Sequence, residues 1–447
     1  MRHHGRLRRL LRPGAHLRRG GPAPPRRGPV ELRGGGRDHP ARAVAPVQPD
    51  HPGHRRAAGA PGTAHRRRAA GRRVRRGRDR RAACLGSGGL TAWTHTALPQ
   101  EIRVGAGVAE RLRPLLRDAG SRRTLVLTGP GANPPVVVEG LGRTVVEVVE
   151  ASVVGVPVEA VRRGVQLVRD AAIDTIVSIG GGATVDAAKA IAFFTEREAG
   201  TPGTSFTDRP VLAHVAIPTT LSTSAFSSSF AMTDPATKHR QSTSSPTLVP
   251  RWVVLDTTLL GATPRRVLGS SLLAAVDAAL AAAVGGRSPE SEVVGVAALA
   301  RLVAVADLLD DDAVRGTAVA AATLAGRAAA NAAPSLAHGL AVLLGGRRPL
   351  DHGAALAILL PVVVDLARPA LGARLDQAAQ AVGTADLVGR LTELRADLGL
   401  PSRFDELSIS LEDLEAVVRH ARAGASWADF PVPLEEGALL ERLEAAW

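Results

Sequence analysis

Residues 175–194 read TIVSIGGGATVDAAKAIAFF. An apolar, β-branched run ends in Gly180, Gly181 and Gly182, and a helical pattern follows at once. This is the pattern of a buried strand that turns directly into a helix. Without Cβ atoms, glycines let backbone approach a ligand closely. The helix start that follows offers free N–H groups and the positive end of its dipole, which together suit a phosphate. Thr184 is a candidate helix cap, and Asp186, read in the first turn, also suits the dipole. The turn lacks the Gly-x-Gly-x-x-Gly spacing, so the general dinucleotide fingerprint does not apply. A tight turn that binds nothing would use the same glycines.

Outward from this turn the alternation repeats. EIRVG, TLVLTGPG (Thr124–Gly131) and TVVEVVE (Thr144–Glu150) read as strands upstream. Val158, Val161, Val165 and Val168 keep helical spacing between them and the glycine turn. HVAIPTT and RWVVLD (Arg251–Asp256) read as strands downstream. Strands that alternate with helices predict a parallel sheet with crossover helices. After Thr263 Ala and Leu dominate and strand signals vanish. SSLLAAVDAALAAAV, the run Val293–Leu324 and the segments on to Trp447 all read as helices. The expected architecture is an Arg/Gly/Pro-rich disordered tail over 1–96, an α/β domain over 97–262 and an all-helical domain over 263–447.

Charge is spread unevenly. Residues 1–90 hold 24 Arg, no Lys and 4 acidic residues, whereas the whole chain is only +14, so the rest is net acidic. A nucleic-acid-binding reading therefore fails for the body of the protein. The tail's composition cannot bury enough apolar surface to offset its chain entropy. It reads either as an arm that binds phosphate backbones without specificity or as a segment that precedes the true start. Cys84 is the only cysteine, which excludes an intrachain disulfide. No secretory signal is evident. The longest uninterrupted apolar run, Gly353–Val364, falls short of the ~20 residues that span a bilayer. A cytoplasmic protein without a membrane partner is the expectation.

Two further stretches carry candidate chemistry. AIPTTLSTSAFSSSFAMTD (Ala216–Asp234) follows a strand end and is rich in Ser and Thr, including Thr219 and Thr220. Hydroxyls there lie where doubly wound sheets bind ligands. Leu221 and Phe226 argue against a simple solvated linker. In the helical half, Asp277 sits in SLLAAVDAALAAAV, apolar on all sides, so the helix is expected to be buried and its carboxylate to need a partner. His338 and His352, two of only six histidines beyond residue 90, lie in the same half. One carboxylate and two imidazoles form a workable divalent-metal set with open positions. The following Gly339 and Gly353 would let backbone pack closely around an ion.

The combination resembles the iron-containing alcohol dehydrogenase family, including its maleylacetate reductase branch. The family's Gly-Gly-Gly-Ser-x-x-Asp-x-x-Lys turn is matched by Gly180, Gly181, Gly182, Asp186 and Lys189, with Ala183 in place of Ser. Its Ile-Pro-Thr-Thr strand end is matched by Ile217, Pro218, Thr219 and Thr220, and ILLP at Ile358–Pro361 matches as well. The resemblance covers roughly residues 97–447. It implies that Gly180, Gly181, Gly182, Asp186, Thr219 and Thr220 bind NAD or NADP, and that Asp277, His338 and His352 hold Fe2+ or Zn2+. Metal would polarise an alcohol or carbonyl oxygen, and hydride would pass between nicotinamide and a small molecule or a biosynthetic intermediate. A homodimer is a further expectation.

The chain departs from the family at several points. Ala281 stands where a second metal-binding His is expected, one turn after Asp277, and Val342 replaces a His four residues after His338. Thr223, Ser224 and Ala225 replace Gly-Ser-Glu. Gly129 replaces the acid that faces the cofactor ribose, which would admit NADP. Two alternatives stay open: a degenerate member kept as a binding or scaffold protein, and a dehydroquinate-synthase-like lyase. The lyase is disfavoured by the scarcity of Lys, found only at 189 and 238.

Overall fold

The computed structural model describes residues 92–130, 132, 135–151, 155–200 and 211–447. Cys84 and the tail through residue 91 lie outside the described residues. The described strands are β1 (Glu101–Gly105), β2 (Thr124–Thr128), β3 (Val145–Glu150), β4 (Thr175–Gly180), β5 (Ala213–Pro218), β6 (Ser229–Asp234), β7 (His239–Ser244) and β8 (Trp252–Asp256). Six of them form one parallel sheet in the order β1-β8-β5-β4-β2-β3. β2, β4 and most of β5 are buried along their length, as expected for a parallel sheet covered on both faces. The chain runs from β2 outward to β3, then returns past β2 to β4 and β5. The order therefore reverses between β2 and β4, and ligands of doubly wound sheets bind outside the carboxyl ends of the strands at such a point. The glycine turn closes β4 there, beside Gly129 at the end of β2, whose N–H donates to Ile179 O at 2.8 Å.

The remaining two strands correct the sequence reading. Part of the stretch read as a loop through Asp234 is β6, paired antiparallel with β7. Its apolar residues, Phe230, Ala231 and Met232, are consecutive, so they carry no apolar–polar alternation to read. The segment after β1 forms a 3-10 turn at Val108–Glu110 and a short helix at Arg113–Asp118. His95 and Thr96, read as the end of the tail, are tied down. His95 Nδ1 lies 2.9 Å from Ser288 Oγ, and Thr96 N–H donates to Asn331 Oδ1 at 2.8 Å.

Beyond β8 the described chain is helical. The helices Arg265–Gly285, Pro289–Val305, Asp312–Ala329, Leu336–Arg347 and His352–Ala381 share one core of Val, Leu, Ile and Ala. Close approach is built in: a Cβ on Gly295 would lie 2.6 Å from Ala283 N of the neighbouring helix. Two helices, Arg265–Gly285 and His352–Ala381, are long and apolar enough to cross a membrane by length and composition, but 78% and 56% of the respective windows are buried inside the protein. The second of them runs straight through Pro361 and Pro369.

His214 on β5 is a buried polar residue inside the sheet. Its Nε2 lies 2.8 Å from Ser178 Oγ, and burial with the nearby charge of Lys189 pulls its pKa down to about 3. The folded protein therefore keeps His214 neutral, while the unfolded chain takes up a proton below about pH 6.5. Its contribution to stability is complete above that pH and declines as pH falls towards 3. At pH 5 the loss amounts to about 2 kcal/mol. H214Q, which retains a polar group for Ser178 but does not titrate, is expected to flatten the acid limb by that amount. Urea unfolding of both proteins at pH 7.5 and pH 5 measures it, and parallel pH dependences would exclude His214 as the source.

Candidate functional site

At the glycine turn the helix Gly182–Glu198 starts directly after β4, with Gly181 as its N-cap and no side-chain cap. Thr184 is not the cap; it is buried in the first turn, and a Cβ on Gly129 would come within 3.0 Å of its hydroxyl. Asp186 stands one step beyond the first turn. A Cβ on Gly180 would meet Gly129 N at 3.0 Å, and one on Gly182 would collide with Ser222 Oγ. These positions admit only glycine because backbone and hydroxyl groups crowd them, so the turn presents backbone rather than side chain. Thr219 and Thr220 are buried beside it: Thr219 N–H donates to Gly180 O at 2.9 Å. The cofactor-binding residues expected from the sequence are thus adjacent at the carboxyl ends of β4 and β5. The donor groups and the uncapped helix start fit the phosphates of a dinucleotide.

Lys189, one turn further on, is fully buried. Its Nζ donates to Ser229 O at 2.8 Å and to Ser224 O, and lies 3.5 Å from Asp186 Oδ1. Burial lowers its pKa, against the opposing effect of Asp186. Lys189 therefore acts as a strut that fixes the Ser/Thr loop against the glycine helix. The buried side chains of Leu221 and Phe226 anchor the same loop.

The second half of the site lies among the helices. Asp277 is buried on Arg265–Gly285, as its apolar surroundings predict. Its Oδ1 accepts from Ser335 Oγ at 2.5 Å, and its Oδ2 lies 3.8 Å from His338 Nδ1. Ser335 is also the N-cap of Leu336–Arg347, accepting from His338 N–H at 2.9 Å. His338 Nδ1 in turn lies 3.2 Å from His352 Nε2. Burial pushes the Asp277 carboxyl above its usual range, while His338 and Ser335 favour the anion. Burial, together with the charges of His338 and Arg240, keeps His352 well below the usual histidine range and hence neutral at pH 7. His338 is half-exposed, so the series opens to solvent through it.

Asp277, His338 and His352, expected to hold a metal, are thus brought together, with His338 Nδ1 facing both Asp277 Oδ2 and His352 Nε2. Among the described residues no group of three or more His, Cys, Asp and Glu is placed to hold an ion. Ala281 and Val342 add no donor, and Ser335 occupies the other carboxylate oxygen. As folded, the set does not make a metal centre, and no chemical step is assigned to a metal here. Nor do the glycines next to the histidines surround an ion: Gly339 packs on Ser426, and Gly353 packs on the backbone of Ser270. A281H would place a fourth donor one turn from Asp277, on the same helix face. It is expected to raise Zn2+ affinity by at least the roughly tenfold that even outer-shell partners contribute. Calorimetric titration of both proteins checks this, and equal affinities would show that Ala281 does not face the set.

Sequence reasoning missed three residues. Ser335 was legible in principle, since Ser335 three residues before His338 is a helix-cap spacing. Asp351, which caps Gly353 N–H at 3.0 Å and accepts from Ser270 Oγ, was legible for the same reason. Arg240 left no signal, because the hairpin that carries it was not recognised. A cavity of about 80 Å³ near His95, Glu290 and Asn331 is lined by none of the site residues.

A reversed parallel sheet with a glycine turn at its switch point, joined to a helical half that gathers Asp277, His338 and His352, defines a two-part α/β and α architecture of nucleotide-binding type. The chain belongs to the iron-containing alcohol dehydrogenase family, a family of oxidoreductases. Residues 99–257 match the family model described as iron-containing alcohol dehydrogenase, and residues 296–447 match that for the C-terminal part of the Fe-containing alcohol dehydrogenases. A maleylacetate reductase of Rhizobium sp. (strain MTP-10005) is 29% identical over 365 residues, covering 80% of this chain and 98% of the relative. Maleylacetate reductase 2 of Cupriavidus pinatubonensis is 30% identical over 66% of this chain and 80% of its own length. Among solved structures, maleylacetate reductase from Agrobacterium tumefaciens superposes with a TM-score of 0.68 at 28% identity, covering 80% of this chain and 99% of that one.

Proposed function

We propose that the chain is an NAD(P)-dependent oxidoreductase that moves hydride between nicotinamide and an alcohol or aldehyde group, on a small molecule or a specialised biosynthetic intermediate. The observation that supports this best is the pairing of a glycine turn at the sheet's switch point with a buried carboxylate beside two hydrogen-bonded imidazoles. Gly180, Gly181, Gly182, Thr219 and Thr220 would hold the cofactor, which supplies or accepts the hydride. The chain's own task is the proton. His352 is neutral and is linked to His338, so the pair delivers a proton to the substrate oxygen in reduction or removes one in oxidation. Asp277 orients His338, while Ser335 fixes both. His338, as the exposed member, exchanges the proton with solvent. Gly129 leaves no acid to reject a 2′-phosphate, so NADPH belongs to the reading alongside NADH. Iron or zinc would have Asp277, His338 and His352 as its ligands only if these closed around one ion, which metal analysis of the wild-type protein tests.

The experiment is NADH and NADPH binding by fluorescence, together with turnover on a panel of aldehydes. Binding with turnover is the expected result. Cofactor binding without turnover on any aldehyde would overturn the enzyme reading in favour of a scaffold. Phosphate release without net NADH formation would point to the lyase.

A further inference from the structure

The segment from His95 to Gln100 straps the two halves of the protein together. Thr96 exchanges two hydrogen bonds with the Asn331 side chain: its N–H donates to Oδ1 at 2.8 Å, and its carbonyl accepts from Nδ2 at 3.1 Å. Gln100 Nε2 donates to Ala225 O at 2.7 Å and to Pro250 O at 2.9 Å, on the sheet half. Between this strap and the helices Pro289–Val305 and Asp312–Ala329 lies the cavity of about 80 Å³. A water needs about 10–15 Å³ of such space, so there is room for a ligand of about six non-hydrogen atoms. Leu98, Val294 and Leu324 give the cavity apolar walls. Arg327, in the last turn of its helix, lines it as well. Arg327 is half-buried, and among the described residues no hydrogen bond or ion pair engages its guanidinium. A partly desolvated cation without a counter-charge is unfavourable. The one acid on the cavity wall, Glu290, faces His95 instead: its Oε2 lies 3.6 Å from His95 Nε2. Glu290 and Ser291 belong to the first turn of Pro289–Val305, so the positive end of that helix dipole also borders the cavity.

We propose that this cavity is a binding site for a small organic monocarboxylate, its acid group on Arg327 and its short aliphatic chain against Leu98, Val294 and Leu324. The planar guanidinium pairs with a carboxylate through two parallel hydrogen bonds. The apolar walls call for a hydrocarbon part, which inorganic phosphate lacks. One unpaired cation calls for one negative charge, and a second carboxylate would meet Glu290. The site shares no residue with the glycine turn or with Asp277, His338 and His352, so it is separate from the proposed place of hydride transfer. A bound acid joins the strap to both helices. It thereby clamps the segment whose far end, Gln100, holds the Ser/Thr loop at Ala225.

The test uses the full chain and butyrate, a monocarboxylate of the size the cavity admits, without cofactor. Calorimetric titration is expected to show one butyrate bound per chain, with affinity reduced about tenfold or more in R327Q. Butanamide, which keeps the shape and lacks the charge, is expected not to compete. Malonate is expected to bind less well than butyrate, because its second carboxylate meets Glu290. A97L narrows the cavity from the strap side, where Ala97 is exposed and the change is easily borne, and is expected to abolish binding with Arg327 intact. Hydrogen exchange locates the site without any substitution: butyrate is expected to slow the amides of Ala97 and Leu98 and to leave those of β4 unchanged. The proposal is overturned if wild-type protein binds no butyrate, if R327Q or A97L binds it as well as wild type does, or if butanamide competes equally. It is also overturned if exchange slows at the glycine turn rather than at the strap, which would put the acid in the cofactor site.

Discussion

Replacing His352 with Ala is expected to lower kcat for carbonyl reduction by about 10²–10⁴-fold, the usual contribution of a positioned proton donor. NADH affinity is expected to stay within about threefold, because the cofactor residues lie on the sheet half and His352 does not touch them. The loss follows from the series described above: His352 Nε2 stands 3.2 Å from His338 Nδ1, and burial holds the imidazole neutral. Ala removes the proton carrier and leaves His338 with Asp277 alone. Steady-state kinetics with a parallel cofactor titration separates the two effects. A variant that keeps full kcat would remove His352 from the chemistry and leave it a packing residue.

The second large effect is expected from G353A. Gly353 is the second residue of the helix His352–Ala381, and a Cβ there would run into the backbone carbonyl of Ser270. Backbone cannot yield as a flexible side chain can, so the helix start must shift. Overpacking of this kind costs roughly 1–3 kcal/mol. The same shift moves His352, so activity is expected to fall together with stability. Gly372, on the same helix, is the control: a Cβ there meets nothing within 4 Å. G372A is expected to stabilise by roughly 0.5–1 kcal/mol, because Ala is the better helix former. Thermal unfolding of the two single-methyl variants compares them directly. Equal shifts would show that Gly353 is not a contact point.

Much of this architecture is legible in residue order alone, because a buried parallel strand and an amphipathic helix leave different periods in the sequence. The glycine turn shows why: β4 is buried at every position, so its six residues read as one apolar run. The burial of Asp277 was equally legible from its apolar helix. The hairpin was not, because β6 places Phe230, Ala231 and Met232 in one apolar run and β7 is polar and partly exposed, so neither shows a period-two pattern. Arg240 went unnoticed with it, since it packs against Gly345 and Gly346, more than a hundred residues away. The donor types at Asp277, His338 and His352 were legible. Their meeting at His338 Nδ1 was not, because sequence spacing says nothing about which oxygen Ser335 occupies.

Two hydroxyls bridge distant parts of the helical half. Ser335 reaches Asp277 across 58 residues of chain, and Ser270 reaches Asp351 across 81. Individual helices form from local contacts, but these two links close long loops and must wait for the rest of the fold. These contacts are therefore expected to be among the last that refolding completes. Recovery of cofactor-dependent turnover is expected to lag behind recovery of helix content.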